Sequence, residues 1–173
     1  MGFSLYDATI PSFRQTLGAV AGLLVKAEAF SREKSIAAED MVQARLAPDM
    51  LPFTYQVKSA AVHSIGAIEG LRKGVFSPDM TPPPGDFAAL KSLITKAMTS
   101  IDAIEASEID GYVGKDMRFA MGDFKIEFTA ENFLMSFSLP NFYFHATTAY
   151  DILRWKGVRI GKLDFLGSLR KKG

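Results

Sequence analysis

Residues 87–107, FAALKSLITKAMTSIDAIEAS, decide the fold. Phe87, Leu90, Ile94, Ala97, Ile101 and Ile104 recur three and four apart, the period of one helical face. Asp86 stands just before them, where a carboxylate accepts from the unpaired amides of the first turn. A helix with one oily face has to bury it against something.

Three further stretches offer matching faces. Residues 4–30 carry Leu5, Ile10, Phe13, Leu17, Val20, Leu24 and Ala27 at helical spacing. Pro11 fits there if it lies in the first turn or kinks the entry. A second long helix is predicted over 51–72, begun with help from Asp49 and ended by Gly74, with Arg72 and Lys73 against its negative end. A fourth runs over 130–155 and closes at Gly157, with a kink or break at Pro140. A short helix is expected over 38–45, a proline-rich connector over 76–86, and an irregular arm after Gly157.

Between the third and fourth helices the period changes to two. Met117, Phe119 and Met121, then Phe124, Ile126 and Phe128, alternate on either side of Gly122-Asp123, which predicts a β-hairpin. The expectation is a mainly α protein: a four-helix bundle with a β-hairpin between helices three and four, one domain over residues 1–173.

Composition narrows the function classes. Net charge is +1 with both signs interspersed, so no field gathers nucleic acid or an anionic membrane. The chain has no cysteine, which removes disulfides, thiolate nucleophiles and cysteine metal sites together. The start MGFSLYDATIPSFR has no basic run before an apolar core, and GAVAGLLV is too short to span a bilayer, so a cytoplasmic location is expected. There is no G-x-S-x-G nucleophile elbow, and GYVGKD lacks the spacing of a phosphate loop.

The chemistry that remains centres on the two histidines, each inside a predicted helix. His63 shares its face with Gln56, Ser59, Ala60, Gly66, Ala67 and Gly70. His145 shares its face with Asn141, Phe142, Thr148, Ala149 and Ile152. If both faces point inward, the imidazoles meet in the core. A helical metal site wants ligands at i and i+3 or i+4, but positions 67 and 149 are alanine. Any third ligand must be oxygen, and Asn141 is the best placed. The competing reading is of two partly buried, hydrogen-bonded histidines. Thr147 and Thr148 fit bonds back to the preceding turn. Tyr143 and Tyr150 share a face, and Asp151 with Arg154 suits a surface ion pair. Phe133, Phe137, Phe142, Tyr143 and Phe144 cannot all share one helix face, so some meet the hairpin, a ligand or a second subunit.

The stretches LYDATIPSFRQTLGA, ARLAPDMLPFTYQV and NFYFHATTAYDILRWKGVRIGKLDFLG resemble a bacterial family of unknown function within the DinB/YfiT-like metalloenzyme superfamily. The resemblance covers essentially the whole chain. It implies a four-helix bundle, often a homodimer, and a Zn or Ni ion held by one histidine of helix two and an H-x-x-x-H pair of helix four. Some relatives are transferases that use small thiols. Carried over, His63 matches the helix-two ligand and His145 the first of the pair, while the second falls on Ala149. The nearer family shares that alanine and carries an acidic residue where this chain has Val62. Both departures argue against a tight metal site. The expected function is a DinB-like protein with an incomplete metal site at His63 and His145 and a bundle-core pocket for a small molecule, lined by Ser59, Asn141, Tyr143 and Thr148. The alternative is a metal-dependent, thiol-transferase-like enzyme using His63 and His145.

Overall fold

The structure is a computed structural model and describes residues 2–172. Helix α1 (Leu5–Glu33) starts on a capping box: the Asp7 amide donates to Ser4 Oγ, and the Ser4 amide returns a bond to Asp7 (both 3.2 Å). It continues through Pro11 in its second turn, where the missing amide removes one helical bond, the one that would reach the Asp7 carbonyl. The short helix α2 (Ala38–Val42) follows.

Helix α3 (Phe53–Ala61), a π turn (Val62–Gly66) and α4 (Ala67–Lys73) form one continuous run. Its N-cap is Pro52, which needs no amide there, so Asp49 does not start it. Gly74 ends it at φ 71°, a left-handed turn that glycine adopts without strain.

Strand β1 (Val75–Phe76) and the proline segment lead to α5 (Phe87–Asp102), capped by Asp86, which accepts from the Ala89 amide at 2.7 Å. The helix expected over 87–107 instead breaks after Asp102, and α6 (Ala106–Asp110) starts separately after a turn. That turn buries Ile109 and lets Asp110 accept from the Tyr6 amide at 2.9 Å.

The hairpin forms as its alternation predicts. Strands β2 (Asp116–Met121) and β3 (Phe124–Thr129) are antiparallel, pairing Met117 with Phe128 and Phe119 with Ile126. Gly122, at φ 58°, supplies the tight turn. The sheet has a third strand that alternation does not reveal: β1 lies parallel to β2, with Phe76 opposite Phe119. Two residues are too few to show a period.

The last long stretch is α7 (Ala130–Asn132), a π segment (Phe133–Ser138) and α8 (Leu139–Trp155). The disturbance expected at Pro140 is displaced upstream. Widening the turn before the proline relieves the clash between its ring and the preceding carbonyls. The tail contains α9 (Lys162–Leu166), which packs on α1 through Lys26–Asp164 (2.5 Å) and a bond from Gln15 Nε2 to the Leu166 carbonyl (2.8 Å).

The chain is thus mainly helical with a small three-stranded sheet. Helix α3 packs along α8, and α1 along α5. All six apolar positions of the 87–104 line are buried. Phe13 of α1 meets Phe142 of α8 edge to face, with ring centroids 4.9 Å apart. Burying each such ring stabilises the fold by about 1.5–3 kcal/mol, which ties α8, and His145 with it, to the body of the protein.

Candidate functional site

The two π segments touch, and they organise the site. A π turn pairs i with i+5 and leaves carbonyls of the flanking α-helix unmatched. Buried serines complete them. Ser64 Oγ donates to the Ala60 and Ala61 carbonyls (2.8 and 3.0 Å). Ser138 Oγ, from the other π segment, donates across the interface to the His63 carbonyl at 2.9 Å. The backbone at His63 is therefore held by α8's own approach.

His63 and His145 lie side by side, with ring centroids 5.7 Å apart and planes 15° from parallel. His145 Nδ1 is 2.7 Å from Gln56 Oε1. Gln56 Nε2 donates to the Leu51 carbonyl (2.8 Å), which orients the amide. Its oxygen must then accept from His145, so Nδ1 carries the proton and Nε2 keeps its lone pair. His63 Nδ1 is buried and has no hydrogen-bond partner, while its ring packs against Phe76 and Phe137. Burial lowers both histidines to about 4, and for His63 the neighbouring His145 adds to the effect. Both rings are neutral near pH 7.

The rings line a cavity of about 180 Å³ together with Ser59, Asn141, Phe119 and Phe137. Of the residues predicted for the pocket, Ser59 and Asn141 are therefore beside the histidines. Asn141 Nδ2 also donates to the Phe137 carbonyl at 2.7 Å, inside the π segment. The other two lie elsewhere. Tyr143 sits two positions before His145 and so faces a separate groove with Ser12, Gln15 and Phe165. Thr148 is buried and donates back to the Phe144 carbonyl (2.8 Å), a bond internal to the helix. Arg154 donates to the Ile160 carbonyl (2.7 Å) rather than pairing with Asp151.

One wall of the cavity is the proline segment, through Pro78 and Asp79. Lys58 fastens that segment. Its buried ammonium donates to the Asp79 and Thr81 carbonyls (3.0 and 2.5 Å) and pairs with the Asp79 carboxylate (3.1 Å). Thr54 Oγ1 adds a bond to the Pro84 carbonyl. Neither Lys58 nor Gln56 stood out in the sequence as functional. The available signal was a polar side chain on a face that otherwise had to be buried.

The donors present do not fit a three-ligand metal centre. Ala149, where a second α8 histidine would stand, is buried in the core. Asp79 is the carboxylate at the cavity, and Lys58 and Thr81 already occupy it. Among the described residues no group of three His, Asp or Glu side chains stands close enough to hold an ion. No helix there is long and apolar enough to cross a membrane.

The fold, a helical body with a small three-stranded sheet, is that of a DinB-like protein. The chain is similar to the crystal structure of a DinB family member protein from Shewanella denitrificans, with a TM-score of 0.81 and 26% identity over 98% of this chain and 95% of that one. Residues 5–166 match the domain of unknown function DUF1993, and the chain belongs to that family. A search of curated proteins finds no match.

Proposed function

We propose that this chain is a DinB-like four-helix-bundle protein whose former metal position serves as a pocket for a small neutral molecule. The four long segments are α1, the α3–α4 run, α5 and α8, with the sheet in the connections. The observation that carries the reading is the pair of neutral imidazoles, one of them locked by Gln56 with Nε2 as a bare acceptor. Such a site recognises a hydrogen-bond donor on an apolar or aromatic body, because Phe76, Phe119 and Phe137 line the cavity beside the imidazoles. With both histidines titrating near pH 4, they accept hydrogen bonds at neutral pH far better than they remove protons. The metal-dependent, thiol-transferase-like alternative would use the same two rings, and it lacks a third ligand.

Phenol is the probe, since its ring and hydroxyl match the cavity in size and chemistry. Titration with phenol is expected to move the Hε1 resonances of His63 and His145, and His145→Phe is expected to abolish the response while the fold persists. Unmoved histidine signals at millimolar phenol would remove this reading. We also read the protein as a cytoplasmic homodimer, supported by exposed Phe144, Trp155 and Leu163 (57%, 64% and 78% exposed). Light scattering that returns a single-chain mass of 18.9 kDa would rule the dimer out.

A further inference from the structure

A larger cavity, about 570 Å³, adjoins the histidine cavity, and the two share Val62, Phe76 and Asp79. It runs between the π turn–α4 stretch and α5, over a floor of small residues that includes Ala61, Gly66, Gly70 and Ala97. At Gly66 a larger side chain would enter the space, whereas at Gly70 a Cβ would already meet Phe76 at 3.1 Å, so that glycine lets the sheet approach α4. The volume lies inside the range of about 300–1,000 Å³ typical of small-molecule sites.

Charge at this groove favours an anion. Lys73 and Lys96 line it from α4 and α5, and neither enters an ion pair among the described residues. Two carboxylates face the same space. Asp79 is neutralised by Lys58, which leaves Glu69 against two lysines. Geometry sets the length of a ligand that uses both cavities. Lys73 follows His63 by ten residues on one helical run, about 15 Å along its axis. At the far end stands His145 Nε2, an acceptor that calls for a donor.

We propose that the groove and the histidine cavity form one elongated site for a linear ω-hydroxy carboxylate of about ten carbons, a reach set by the helical rise. The carboxylate lies between Lys73 and Lys96, the chain crosses the glycine–alanine floor past Val62, and the hydroxyl donates to His145 Nε2. This rests on the reading of the histidine cavity given above: the neutral donor there is the hydroxyl end of a longer ligand whose charge lies outside that cavity.

Calorimetry with ω-hydroxydecanoate, decanoate and decanediol tests it. Expected is binding of ω-hydroxydecanoate, with decanediol weaker by about tenfold, the loss of one charged contact. Lys73→Ala with Lys96→Ala should erase that difference. Gly66→Leu should abolish ω-hydroxydecanoate binding by filling the groove. A Cβ at Gly66 meets nothing nearer than Val62 at 3.8 Å, so the variant is expected to fold. Gly66→Leu should still show the phenol response at the histidines. No binding of ω-hydroxydecanoate at millimolar concentration overturns the inference. So does binding that ignores Gly66→Leu, or binding that leaves the His145 Hε1 signal unmoved. A phenol response alongside any of these leaves the histidine cavity standing and removes only the joined site. Loss of both removes the two together.

Discussion

Ser138 Oγ donates to the carbonyl of His63, 75 residues earlier, at 2.9 Å. The bond joins two π segments from different helices, and Ser138 is fully buried. Removing the hydroxyl strands a buried carbonyl, which costs about 1–3 kcal/mol. Ser138→Ala is therefore expected to lower stability to denaturant by that amount and to broaden the His63 ring signals. An unchanged midpoint would show that water replaces the hydroxyl freely.

Acid should weaken the fold through the histidines. In the folded chain both titrate near 4, against an ordinary value of 6.5. Between those values the unfolded chain binds more protons, so stability falls as pH drops from 6.5 toward 4. The contribution is complete above pH 6.5 and levels off below 4. It amounts to roughly 2 kcal/mol per ring once partial exposure is allowed for. Ring titration by NMR and urea melts across this range measure both quantities. Midpoints near 6.5 would contradict the burial argument.

Gln56 is the residue that fixes the His145 tautomer. In Gln56→Ala, Nδ1 loses its acceptor, and the ring is expected to populate both neutral tautomers. Nitrogen shifts of the imidazole distinguish one tautomer from a mixture. The Leu51 carbonyl loses its donor in the same variant, adding about 1–2 kcal/mol of destabilisation. A single unchanged tautomer would mean that the surrounding walls, not Gln56, hold the ring.

Lys58 holds the proline segment against α3. Lys58→Met keeps the buried stem and removes every bond to Asp79 and Thr81. Cleavage by protease near Met80, already 83% exposed, is expected to accelerate by about tenfold or more, since one lost charged network is worth at least about 1.4 kcal/mol. Cleavage at the wild-type rate would assign the segment's order to its prolines alone.

Added Zn²⁺ or Ni²⁺ should leave the melting temperature within about 1 °C, because a stabilising ion must bind the folded chain well below its own concentration. Two imidazoles without a third ligand do not reach that affinity. A rise of several degrees, abolished by His145→Phe, would restore the metal reading.

Much of the helical pattern was legible because it is local. The line from Phe87 to Ile104 faces the core as its spacing requires, Asp86 caps it, and Gly74 ends its helix with a left-handed turn. The hairpin register follows from alternation around Gly122. Elements without a period were not legible. β1 is two residues long, and its pairing depends on Phe76 meeting Phe119 across more than forty positions. The break after Asp102 follows from Ile109 and Asp110 finding partners in α1 and the core.

The site divides in the same way. His63 and His145 stand out in the sequence as the two imidazoles on faces that have to be buried. Which side chains join them is a matter of long-range packing. The approach of α8 to α3 brings Gln56 to His145 and Ser138 to the His63 carbonyl. It leaves Tyr143 and Thr148 outside the cavity, and the segment fastened by Lys58 closes one wall. Periodicity reports which face of a helix is buried. Only the packed chain decides what that face meets, because hydrogen bonds between segments depend on separations that no local spacing encodes.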